Sequence, residues 1–293
     1  MKRTNFHRRP SAILTSDWHI REDIPTCYPD GGFFEDQWKA VEAIRHLQDT
    51  YDCPILHPGD LFDYWKPSPS LLSMTMLAIP KQFYTVYGQH DLPQHSLKLK
   101  QKSGMHTLEV AKKVTVLPFT HYGEMPNMAL EFPQLIGHKI LVWHHLTYMT
   151  QPYPGATGGN AKGILRKYPQ FDLIVTGDNH TSFWVEYQGR LLVNPGPITR
   201  QTAKQIDYKP RVYLWFKDTN TVIPHYLPFT EGIISREHID KKEKRDNRID
   251  AYISKLDGEW QAELTFEDNL KRFKEVNLVR KPVLEIINKS IEE

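Results

Sequence analysis

The stretch FYTVYGQHD, Phe83 to Asp91, runs an apolar, aromatic-rich segment into Gly88 and then sets an amide, an imidazole and a carboxylate side by side. It is too short for an amphipathic helix and has the composition of a strand. Four other short apolar runs share its form: SAILTSD (11–17), PILHPGD (54–60), KILVWHH (139–145) and DLIVTGDNH (172–180). Each ends in polar residues able to bind a metal. Helix-like segments separate the first three runs. One is FFEDQWKAVEAIRHLQ (33–48), with Phe34, Trp38, Val41, Ile44 and Leu47 at three-to-four spacing, and the other is SLLSMTMLAI (70–79). Strands alternating with helices, and apolar throughout, predict an α/β core whose sheet is covered on both faces. Ligands gather beyond the carboxyl ends of such strands, so the polar tips should meet in space although they are spread over more than half the chain.

Composition sets the outer limits. A chain of 293 residues that is 40% hydrophobic can bury a full core. Its net charge of +2 neither demands nor excludes a nucleic-acid partner. The two cysteines, Cys27 and Cys53, have no zinc-type spacing and suggest a reducing compartment. No run reaches the roughly 20 apolar residues of a membrane span. These features predict a soluble, cytoplasmic protein without a membrane partner.

The tips differ in weight. In SDWH, Asp17 and His19 stand at i and i+2, so a continuing strand would point both to one face. Asp60 follows Gly59, an ordinary turn by itself. Adjacent Gln89, His90 and Asp91 cost solvation unless they find partners, and a structural hydrogen-bond cluster would serve as well as a reactive one. His144 and His145 fall on opposite faces of a strand end, so one of them points into any site. Asp178 and His180 repeat the i, i+2 spacing.

In this order and spacing, the motifs resemble those of the calcineurin-like metallophosphoesterases over residues 11 to 230. That family reads D-x-H, G-D, G-N-H-D/E, a strand-end His and G-H-x-H. Here the positions are Asp17 and His19, Gly59 and Asp60, Gly88 to Asp91, His144, and Gly177 to His180. The LLVNPGPITR segment (191–200) is similar to the Asn-Pro-Gly stretch that follows the last motif. The wording of SDWH and GQHDLPQHSL resembles the DNA-repair nuclease branch, the SbcD type, and its shorter phage-like members. Two residues depart from the family pattern: Gln89 stands where it has Asn, and Asp178 where it has His. Each keeps a donor atom, which implies a retuned metal site.

The resemblance implies a sandwich of two mixed β-sheets flanked by helices, with a helical C-terminal extension. It implies one divalent ion held by Asp17, His19, Asp60 and His180. A second would be held by Asp60, Gln89, His144 and Asp178, with Asp60 bridging. The added carboxylate favours Mn²⁺, with Mg²⁺ as the alternative, over Zn²⁺ or Fe. Metal-bound hydroxide would attack a DNA phosphodiester in line. His90 would protonate the leaving oxygen, and Asp91 would fix the His90 tautomer and raise its pKa. Nucleotides or other small phosphoesters are the alternative substrates, and an inactive scaffold is the second alternative.

Other features carry less. His95 and His121 read as loop or rim residues. The segment TYMTQPYPGATGGN (147–160) is a Gly- and Pro-rich connection or a substrate-contacting loop. Basic residues in LKLKQKSG (97–104) and TRQTAKQIDYKPR (199–211) form a solvated face or a phosphate track. The domain boundary is expected near 230, with residues 1–230 catalytic and 231–293 a charged helical extension. That extension would dock an SbcC-like ATPase, form a homodimer, or cover the sheet.

Overall fold

The computed structural model describes residues 9–118, 137–151, 157–237, 239, 248, 266–276 and 279–285. In chain order its strands are β1 (Ala12–Leu14), β2 (Ile55–His57), β3 (Phe83–Thr85), β4 (Thr115–Val116), β5 (Ile140–Trp143), β6 (Thr147–Tyr148), β7 (Gly159–Asn160), β8 (Leu173–Thr176), β9 (Phe183–Tyr187), β10 (Arg190–Asn194), β11 (Arg211–Phe216) and β12 (Thr221–Tyr226). All five apolar runs are strands, and each stops before its polar tip. The helices are α1 (Phe33–Tyr51), α2 (Pro69–Ala78), α3 (Gly104–Val110), α4 (Ala161–Lys167) and α5 (Phe266–Val276).

Two mixed sheets result. The larger has the order β12-β11-β1-β2-β3-β4, parallel from β1 to β4 and antiparallel where β11 joins β1 and β12. The smaller has the order β5-β8-β10-β9, parallel except at β9. Strand alternation explains how they stack. Ala12, Leu14 and Leu56 from one sheet meet Ile140, Val142, Val175 and Val193 from the other in one buried cluster. Ile13, Ile55 and Phe83 point the other way and pack with Val41, Ile44 and Leu47 of α1 and Leu71 of α2. Leu141, Ile174 and Leu192 cover the outer face of the smaller sheet with Ile164 and Leu165 of α4.

The buried face of α1 is not purely apolar. It includes Asp36, which accepts from Thr230 N and Oγ1, and Gln37, which brackets the main chain of Arg21 at 3.0 and 3.1 Å. Phe34 and Trp38, which the apolar spacing places on that face, remain partly open.

Contacts divide the chain into Met1–Ser235 and Arg236–Glu293. In the second unit α5 is helical, with Leu270 and Phe273 buried. Most of the charged stretch from 238 to 265 lies outside the described residues, as do His121 and residues 152–156. Among the described residues no helix is long and apolar enough to cross a membrane.

Candidate metal centre

β1 ends at Leu14, so Asp17 and His19 lie in the loop beyond it. Both have left-handed backbones (φ 48° and 43°), as do Asp60 (57°) and Asp178 (70°). A turn, not strand alternation, therefore aligns the D-x-H pair. A non-glycine residue held there costs about 1–3 kcal/mol, and such conformations persist only when their surroundings impose them.

Ligand atoms lie within 4.8 Å of one another in three groups: Asp17, His19 and His180; His19, Asp60 and His90; Asp17, Asp60 and His144. Asp60 Oδ2 is 3.7 Å from His19 Nε2 and 3.4 Å from His144 Nε2, and the two Nε2 atoms of His19 and His180 are 3.2 Å apart. For Asp17, Asp60 and His144 the second polar atom of the side chain is engaged elsewhere. Asp17 Oδ1 accepts from Asp178 N (2.9 Å), and Asp60 Oδ1 accepts from His90 N (2.8 Å). His144 Nδ1 donates to the Pro58 carbonyl (2.7 Å), so its Nε2 carries the lone pair.

Asp17 Oδ2 and Asp60 Oδ2 are buried without a hydrogen-bond partner among the described residues. Buried carboxylate oxygens are costly unless paired, and these two face a ring of imidazole nitrogens. This donor set, carboxylate oxygens with imidazole nitrogens, fits divalent cations. The electrostatics agree. Burial disfavours a charged His19, yet Asp63, Asp60 and Asp17 outweigh it and push the imidazole up to about 9. Burial likewise opposes a charged Asp17, but His180, His144 and His19 hold it below the usual carboxylate range. The carboxylates thus favour a protonated His19 and also raise His144, whereas burial pushes His180 down.

Gln89 and Asp178 meet each other. Gln89 Nε2 donates to Asp178 Oδ1 at 3.0 Å, and Asp178 is not part of the three close groups. The two departures from the family pattern are thus one pair. His145 does not share the position of His144: it stacks on Trp143 with centroids 3.9 Å apart. His95 is exposed and also outside the groups.

The expected role of Asp91 as the orienter of His90 is not what the structure shows. Asp91 is fully buried and accepts from the main-chain N–H groups of Gly88, Asp60, Leu61 and Phe62 at 2.9–3.2 Å. It ties the GQHD turn to the GD turn. The His90 ring is oriented instead by Asp63, whose carbonyl accepts from His90 Nδ1 at 2.7 Å. The Asp63 carboxylate also lies 3.5 Å from His19 Nδ1 and 3.2 Å from Arg21. Sequence reasoning missed Asp63, although GDLFD offered a second carboxylate three residues past Asp60. The Asn-Pro-Gly segment supports the centre from behind, with Asn194 Nδ2 donating to the Asn179 and Thr181 carbonyls.

The model of the calcineurin-like phosphoesterase superfamily domain matches residues 11–210, and the chain belongs to that superfamily. No curated protein matches the sequence. Among solved structures, a novel archaeal phosphodiesterase is similar at 13% identity, covering 74% of this chain and 99% of its own, with a TM-score of 0.44. A metallophosphoesterase from Sphaerobacter thermophilus is 14% identical over 75% of this chain and 89% of its own, with a TM-score of 0.40. A putative 5′-nucleotidase from Staphylococcus aureus is 14% identical over 80% of this chain and 58% of its own, with a TM-score of 0.45.

Proposed function

We propose that the chain is a cytoplasmic, dimetal-dependent phosphodiesterase that hydrolyses DNA. The observation that carries the hydrolase reading is the convergence of Asp17, Asp60, His19, His144 and His180, with two buried carboxylate oxygens left unbonded. One ion would be held by Asp17, His19, Asp60 and His180, and the other by Asp60, Gln89, His144 and Asp178. When bound, two such ions lower the pKa of water and clamp the phosphoryl oxygens. Mn²⁺ suits the oxygen-rich set best; metal-free protein revived by Zn²⁺ but not by Mn²⁺ would contradict that preference.

The chain's own residues complete the reaction. His90 keeps Nδ1 on the Asp63 carbonyl, so Nε2 is the atom that passes a proton to the leaving oxygen. Asp91 holds the two turns that carry Asp60 and His90 in register. The DNA substrate is supported by the SbcD-like wording of SDWH and GQHDLPQHSL. The same resemblance supports an SbcC-like ATPase as partner, and the C-terminal unit is offered as the docking or self-association segment.

The test is cleavage of end-labelled duplex and single-stranded DNA with Mn²⁺, comparing wild type with His90→Asn. The expected result is degradation that the variant loses while it still binds metal. Intact DNA alongside hydrolysis of a small aryl phosphodiester would instead assign the centre to small phosphoesters.

A further inference from the structure

Beyond the side of His19 that faces Asp63, a cavity of about 230 Å³ opens between the segments 20–23 and 63–71. We propose that it receives a nucleobase of the substrate, stacked on Tyr64; this deepens the phosphodiesterase reading and rests on it. Tyr64 lines the cavity, is 59% exposed, and its ring lies 5.3 Å from that of Trp65, centroid to centroid. An exposed tyrosine alone is ordinary, but the walls around this one narrow the choice of ligand.

Three carboxylates, Glu22, Asp23 and Asp63, line the cavity against two cations, Arg21 and Lys66. Arg21 is already paired with Asp23 and Asp63. That balance disfavours a phosphate, which a subsite would hold with surplus cations. It suits an uncharged planar ring whose edge both donates and accepts hydrogen bonds, and every nucleobase is such a ring. One wall of the cavity is fixed, because Gln37 bonds both the N–H and the carbonyl of Arg21. The cavity also shares a wall with the reacting centre. Asp63 touches His19 through its carboxylate and His90 through its carbonyl, so a base in the cavity belongs to the nucleotide beside the scissile phosphate.

The experiment compares thymidine 5′-(p-nitrophenyl phosphate), which carries a base, with methyl p-nitrophenyl phosphate, which does not. In Tyr64→Ala the preference for the thymidine ester, read as the ratio of the two kcat/KM values, should fall about tenfold, through KM, and Tyr64→Phe should restore it. An unchanged ratio, or a Phe variant as impaired as the Ala variant, would overturn the subsite. If wild type hydrolyses neither ester, the phosphodiesterase reading fails first. Titration of 2-aminopurine riboside then decides the subsite alone: fluorescence quenching that Tyr64→Ala abolishes supports it, and no quenching by wild type removes it.

Discussion

At the scale of single residues, Asp63 and Asp91 are two carboxylates with opposite duties. Asp63 acts on rings: its side chain lies against His19 Nδ1 and its carbonyl against His90 Nδ1. Partners that orient a metal-binding histidine typically contribute about 10–100-fold to metal affinity. Asp63→Ala should therefore weaken Mn²⁺ binding on that scale by calorimetry, and Asp63→Asn, which keeps an acceptor for Nδ1–H, should recover most of it. Because the main-chain bond to His90 survives both changes, turnover at saturating metal should fall less than affinity. Asp91 acts on the backbone. Removing it orphans four buried N–H groups, each worth about 1–3 kcal/mol when left unsatisfied. Asp91→Ala should lower global stability by about 3 kcal/mol or more in urea unfolding, whereas His90→Asn should leave the midpoint nearly unchanged.

At the scale of elements, the turn after β3 shows why the GQHD tip begins with glycine. A Cβ on Gly88 would sit 2.1 Å from Asp60 Oδ1 and 2.4 Å from Asp60 N. The backbone of one tip thus passes directly against the proposed bridging carboxylate of another. Gly88→Ala must push these turns apart, and a displacement on the ångström scale costs about 100-fold where geometry governs rate. The variant should lose activity and metal affinity together, unlike His90→Asn; preserved metal affinity would show that the turns yield elsewhere. This crowding also marks how far the sequence could be read. The five strands, the α/β order and the meeting of their tips were legible because strand-length apolar runs and polar ends are local signals. Strand alternation predicts the alignment of Asp17 with His19, but β1 ends too early and left-handed turns align them instead. Apolar spacing misphases the buried face of α1 because Asp36 and Gln37 are buried as tethers, which no apolar count detects. The partnerships of Asp63, Asp91 and the Gln89–Asp178 pair depend on side chains brought together by long-range folding, and spacing alone carries no trace of them.

At the scale of the whole molecule, pH should couple folding to metal in a way that separates two histidines. His57 is fully buried in β2, and burial pushes its imidazole down to about 3; it is neutral in the fold, with Nδ1 on Thr85 Oγ1 at 2.9 Å. A histidine depressed on folding binds more protons when unfolded, so stability falls as pH drops below about 6.5. His19 has the opposite sign. Its folded value near 9 lies above the unfolded one, so its contribution in metal-free protein is complete below about 6.5 and is lost as pH rises through about 9. The contributions of these two histidines together should thus be greatest near neutral pH and weaken on both sides. A divalent ion replaces the proton on His19, so binding releases protons and strengthens as pH rises towards 9. Since ligand binding raises stability with the logarithm of occupancy, the rise in Tm produced by a fixed Mn²⁺ concentration should be small at pH 6 and large at pH 8.5. Thermal unfolding with and without Mn²⁺ across this range checks both signs. An increment independent of pH would mean that the ion enters without displacing the His19 proton, and the assignment of His19 as a ligand would fall.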